Sequence, residues 1–166
     1  MKALLAALAL ALAVGLAQAE VKPFEPGSLA KIRAAREGRP FILAFWSLDC
    51  AHCPKELQAL GEFRKRNPGV DVVLVSTDTP DNAPLLAGFA AQQGLPAAEQ
   101  WVFADPQPQR LRYEIDRRWW GELPRTYLYD SDHKAVAYSG MVAADALQQW
   151  LTRNAGAAVR YPVRQP

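Results

Sequence analysis

Apolar residues fall into two alternating rhythms along this chain. One is the short unbroken run, as in the stretch FILAFW at 41–46, which suits a strand buried on both faces. The other returns every three or four residues: Cys53, Leu57, Leu60 and Phe63 lie on one helical stripe, with Lys55, Glu62, Arg64 and Lys65 largely outside it. That pattern predicts a helix over about 50–66, stopped by Asn67, Pro68 and Gly69. A preceding helix is expected over 28–37, capped by the Ser28 hydroxyl and ended by Gly38 and Pro40. After the second helix the pattern gives a buried strand at 70–76, a turn-rich segment at 79–84, a helix over 85–93 and a short strand at 101–103. A helix over 109–116 leads to Trp119 and Trp120, both read as packing under or beside whatever site the fold builds. Segments 126–129 and 135–138 form a hairpin through 130–134, 144–153 is a closing helix, and the Ala-, Arg- and Pro-rich tail from Asn154 frays. Such alternation of strands and helices predicts an α/β fold, a central mixed or largely parallel sheet with helices on both faces.

Length changes the picture little: 166 residues suit one domain, expected over 20–153. The N-terminus changes it more. Lys2 precedes an uncharged apolar run of about 14 residues and the small-x-small sequence Ala17-Gln18-Ala19, the pattern of a signal peptide cut before Glu20. The run is shorter than the ~20 residues a membrane-spanning helix needs, and an uncleaved anchor is the alternative. Export to the periplasm is therefore expected. Without Lys2 the chain carries 18 Lys and Arg against 17 Asp and Glu, a balance of +1, which is no footprint for nucleic acid. Arg110, Arg112, Arg117, Arg118 and Arg125 cluster, either as a solvated face or as a field that orients an acidic partner.

Chemistry enters with the two cysteines, Cys50-Ala51-His52-Cys53, placed between a buried strand and a helix start. Unpaired N–H groups and the helix dipole stabilise an anion there, so a thiolate at Cys50 is favoured. Cys53, one turn along, is in reach of a mixed disulfide formed at Cys50. These positions assign Cys50 as nucleophile and Cys53 as resolving thiol. His52 between them either stabilises the thiolate or is an exposed helix-start residue. Three other readings stay open at this point. A structural disulfide closing so small a loop constrains the unfolded chain little. A zinc site needs four ligands, and the chain offers two Cys with His52 and His133. Haem attachment needs His directly after the second Cys, where this chain has Pro54. No cofactor is expected.

The stretch FWSLDCAHCPKEL, followed about seventy residues later by ELPRTYLYDSDHKAV, resembles the TlpA/ResA-like group of exported thioredoxin-fold thiol-disulfide oxidoreductases, over roughly 40–151. The resemblance implies that Pro124 is a cis-proline facing the cysteines and that the backbone of Leu123 pairs with an extended substrate, with Arg125 and Trp46 also at the substrate site. It also points to Glu56, one turn beyond Cys53, as a group that exchanges a proton during catalysis, the alternative being a solvated helix glutamate. Three departures stand out. Ala44 occupies the place of thioredoxin's buried Asp, Asp49 replaces the Trp before the first Cys, and Arg125 replaces a Thr after the proline.

Taken together, these readings lead to a periplasmic, monomeric dithiol enzyme. It is expected to reduce or exchange disulfides in exported proteins, among them those of cytochrome c or copper-site maturation, with electrons from a membrane-bound thiol donor. The alternatives are a dithiol oxidant and a thioredoxin-fold copper chaperone using both cysteines and His133. A peroxidase is disfavoured, since a Thr-x-x-Cys pattern is missing.

Overall fold

The computed structural model describes residues 20–158. Residues 1–19, with the expected signal segment, and residues 159–166 of the tail lie outside them. In chain order the elements are β1 (Val21–Phe24), α1 (Ser28–Ala34), β2 (Phe41–Trp46), α2 (Cys53–Arg66), β3 (Asp71–Ser76), a 3-10 turn (Pro80–Asn82), α3 (Ala83–Gln92), β4 (Glu99–Phe103), α4 (Pro108–Ile115), β5 (Arg125–Tyr129), β6 (Ala135–Ser139) and α5 (Ala144–Ala158). The strands form one sheet ordered β1-β4-β3-β2-β5-β6. Pairing from β1 to β2 is parallel, and β5 and β6 are antiparallel additions. This is the mixed sheet that the alternating pattern predicts.

Every residue of β2 is buried, because helices cover both of its faces. Ile42, Ala44 and Trp46 face a cluster built from Leu57, Leu60 and Phe63 of α2, Leu86 and Ala90 of α3, and Leu147 and Trp150 of α5. Phe41, Leu43 and Phe45 face the other cluster, with Leu29 and Ile32 of α1, Leu111 of α4 and Trp119. A period of two along the strand thus feeds two separate cores. At Gly61 the α2 backbone runs so close to the Gln93 carbonyl that a Cβ would lie 2.1 Å from its oxygen, so only glycine fits.

Several expectations need correction. Sequence reasoning missed β1, whose Pro23 argues against a strand; at the sheet edge a missing N–H is tolerated. Ser28 does not cap α1: Gly27 holds that position, and the Ser28 hydroxyl accepts a bond from the Glu25 N–H instead. α1 ends at Ala34 rather than near Glu37. α5 continues past Arg153 to Ala158, with Asn154 buried and its side-chain amide donating to the Trp150 carbonyl. Trp119 is buried as expected, but Trp120 is 91% exposed and packs under nothing.

Candidate active site

Cys50 and Cys53 form a disulfide at the point where β2 hands over to α2. α2 begins at Cys53 rather than Cys50, with His52 as its N-cap residue and Pro54 in its first turn, where a missing N–H costs nothing. The Cys53 N–H donates to the Cys50 carbonyl at 3.2 Å and also points at the Cys50 sulfur at 3.1 Å. The two cysteines differ in burial: Cys53 has no exposed surface, whereas Cys50 is only partly buried. His52 is exposed, and its side chain makes no capping hydrogen bond.

Leu123 and Pro124 lie beside this handover. β2 and β5 run antiparallel with Phe45 opposite Arg125, which places the residues just before Arg125 next to the end of β2 that leads to Cys50. Leu123 packs against the same cluster as Cys50, and the Leu123–Pro124 bond is cis.

Glu56 is not the solvated alternative: it is 1% exposed. Its carboxyl accepts bonds from the Thr126 hydroxyl at 3.0 Å and from the Val142 N–H at 3.0 Å. Both donors are neutral. Burial pushes the carboxyl above its ordinary value, and the two hydrogen bonds oppose the shift without cancelling it. Thr126 pairs with Ala44 across the sheet, so the strand position lacking thioredoxin's Asp is next to the residue that holds Glu56. One buried carboxyl is absent from β2 and another is supplied from α2.

Two expected substrate residues are placed otherwise. Trp46 is 1% exposed and stacks on Phe89 with ring centroids 5.2 Å apart, so it is a core residue and not a substrate contact. Arg125 is not a free charge beside a groove. Its guanidinium is held by Asp116 at 2.8 Å, Glu122 at 3.2 Å and the Tyr127 hydroxyl at 3.1 Å. His133 is far from the cysteines: its ring packs on Phe41 and Tyr129, at the opposite end of β2, and its Nε2 bonds the Arg36 carbonyl at 2.9 Å. Five steps of extended strand separate Phe41 from Trp46, about 16 Å, so the ligand set Cys50, Cys53 and His133 required of a copper chaperone is not assembled.

Sequence reasoning missed Asp78. The Ser47 hydroxyl donates to one of its carboxylate oxygens at 2.9 Å. The other oxygen accepts the Leu48 N–H at 3.0 Å and the Ser76 hydroxyl at 2.6 Å. A signal was available in the paired polar residues that end the neighbouring buried strands, Ser47 after β2 and Ser76-Thr77-Asp78 at the end of β3.

A sheet of this topology, with the Cys50–Cys53 disulfide at the strand-to-helix junction and a cis-proline loop alongside, defines a thioredoxin-like protein. The chain belongs to the AhpC/TSA family, whose model matches residues 17–153. With its cysteine pair, that makes it a thiol-disulfide oxidoreductase. Among solved structures it is similar to DsbF of Mycobacterium tuberculosis, at 20% identity and TM-score 0.58, covering 83% of this chain and 96% of that one. It is also similar to a secreted M. tuberculosis disulfide oxidoreductase homologous to E. coli DsbE, at 20% identity and TM-score 0.57, covering 72% and 85%. A Chlorobium tepidum protein described as a candidate thiol:disulfide interchange protein DsbE shares 25% identity at TM-score 0.52, covering 75% and 84%. No curated protein matches the chain. Among the described residues no helix is long and apolar enough to cross a membrane.

Proposed function

We propose that this protein is an exported dithiol reductase that reduces or exchanges disulfides in other exported proteins. The observation that carries the reading is the unequal burial of the two cysteines: Cys53 is fully buried and Cys50 only partly, so Cys50 is the one offered to a partner disulfide. In the reduced protein the Cys50 thiolate attacks one sulfur of the partner disulfide. The Cys50–partner bond forms as the partner's own S–S bond breaks, and one partner thiolate leaves. Cys53 then gives up its proton and attacks the Cys50 sulfur, closing the Cys50–Cys53 bond and releasing the second thiolate, so that two electrons pass to the partner. Glu56, buried one turn along the same helix, takes the Cys53 proton, and its raised pKa brings it closer to that of a thiol. His52, exposed two residues past Cys50, is the side-chain N–H donor nearest to it in sequence, and the backbone of Leu123, ahead of Pro124, pairs with the substrate segment.

Export rests on the N-terminal segment 1–19, and a membrane-bound dithiol donor resets the Cys50–Cys53 pair. The partners are disulfides of exported proteins, including apoproteins awaiting haem or copper, and the enzyme works as a monomer. The reductive direction rests on the resemblance to reductive TlpA/ResA-like proteins. Cys53→Ala is expected to accumulate a mixed disulfide through Cys50 with such a partner in whole cells, and its absence overturns the assigned roles. A reduction potential for the pair well below about −200 mV marks a reductant, and one well above it an oxidant.

A further inference from the structure

We propose that Asp78 is a positioning residue for the Cys50 nucleophile, acting through Ser47 and Leu48. The proposal deepens the reading of Cys50 as the attacking sulfur and rests on it. Between the end of β2 and the start of α2 the chain crosses six residues outside any regular element, Ser47 to His52, and the nucleophile sits among them. Such a segment has backbone groups that no strand or helix ladder satisfies, and its conformation is set by whatever satisfies them. Here much of that comes from one carboxylate on the neighbouring strand's exit. Asp78 accepts the Leu48 N–H and the Ser47 hydroxyl on separate oxygens. Ser47 passes the constraint on: its hydroxyl accepts the Asp49 N–H at 3.2 Å, and its carbonyl accepts the Cys50 N–H at 3.3 Å. A continuous chain of bonds therefore runs from Asp78 to the backbone of Cys50.

Asp78 is itself fixed, since the Ser76 hydroxyl donates to its carboxylate and in turn accepts the Asp78 N–H at 2.9 Å. Because β2 and β3 are in register with Trp46 opposite Ser76, the two strand exits leave the sheet together. The Thr77 N–H also bonds the Trp46 carbonyl at 2.9 Å. Each time the Cys50–Cys53 bond opens and closes, the segment loses and regains its covalent tie to α2. The Asp78 bonds involve neither sulfur, so they hold Cys50 in place across both states.

The test uses the reduced full-length protein and measures the second-order rate of its attack on the aromatic disulfide 5,5′-dithiobis(2-nitrobenzoate) across pH, with thermal unfolding recorded for each variant. The readout is the high-pH plateau, where Cys50 is fully ionised. Displacing a reacting atom by about 1 Å costs on the order of 100-fold, so Asp78→Ala is expected to lower the plateau by about 10- to 100-fold. Asp78→Asn keeps an oxygen for the Leu48 N–H and the Ser76 hydroxyl, while the Ser47 hydroxyl, which faces the other oxygen, can turn to accept from the amide N–H. It should restore the plateau to within about threefold of wild type and move the midpoint of the pH profile downward, since a negative charge near Cys50 is gone. Ser47→Ala, which deletes one oxygen and carries little risk to folding, should lower the plateau several-fold. A plateau unchanged in Asp78→Ala, or equally depressed in Ala and Asn variants, overturns the proposal. Should Asp78→Ala fail to fold, an unchanged plateau in Ser47→Ala overturns it. Wild-type protein inert toward the disulfide would instead sink the reading of Cys50 as nucleophile.

Discussion

Glu56 and Glu99 both give up much of their water on folding, and they respond in opposite directions. At the cysteine end of the sheet, Glu56 has only neutral donors, Thr126 and the Val142 N–H, and burial leaves its pKa raised. At the opposite end, burial also pushes the Glu99 carboxyl up, but Lys22 at 2.9 Å and Arg36 at 2.7 Å more than offset it, and the pKa falls below its ordinary value. Arg36 is buried and bridges Glu99 to Asp71 at 2.8 Å, joining the turn after α1 to β3 and β4. The difference lies in the partners. A carboxyl held by cations keeps its charge and serves as a structural clasp, whereas one held only by neutral groups keeps its proton to higher pH than an ordinary carboxyl.

Arg36→Ala gives the largest expected effect that can break this contrast. Two carboxylates lose their buried cation, and unfolding in urea should show a loss of about 3 kcal/mol or more, with disulfide exchange per folded molecule unchanged. A parallel fall in exchange would mean that the two ends are coupled. Next in size, Glu56→Gln should slow release of the second partner thiol by about 100-fold, measured by single-turnover kinetics, because the Cys53 proton loses its acceptor.

The same variant sharpens the contrast through pH. A carboxyl with a raised folded pKa contributes stability at low pH that is lost as pH rises from the unfolded value through the folded one. Glu99, with its lowered value, contributes stability above the unfolded value that is lost as pH falls through the folded one. Glu56→Gln should therefore flatten the decline of stability toward neutral pH and leave the acid limb intact, as followed by urea unfolding from pH 3 to 8. Smallest is Lys22→Ala: its side chain is 46% exposed, so the loss should stay below about 1 kcal/mol and shrink further in salt.

Much of this was legible before any coordinates. The run at 41–46 and the stripe at Cys53, Leu57, Leu60 and Phe63 are periodic over enough residues for local pattern to decide the element. The Cys50–Cys53 pair was legible for a similar reason, since both members sit within one turn and its chemistry depends on helix-start geometry. Residues whose roles depend on distant partners were harder to read. Trp46 looks like a substrate contact from its place before the cysteines, yet Phe89 of α3 claims its ring. Arg125 reads as a free cation until Asp116 and Glu122 are seen closing on it. Asp78 drew no notice, because nothing local shows that Ser47 and Leu48 lie across from it.

By itself the sequence determined the order of strands and helices after β1 and the position of a cysteine pair at a helix mouth, because hydrophobic period and helix-end electrostatics are properties of neighbours along the chain. Only the tertiary structure decided which cysteine is fully buried, that Glu56 is buried among neutral donors while Glu99 is clasped by cations, and that Asp78 bonds the Ser47–Leu48 segment. Burial and pairing between residues tens of positions apart depend on how the sheet registers its strands, and no local pattern carries that register.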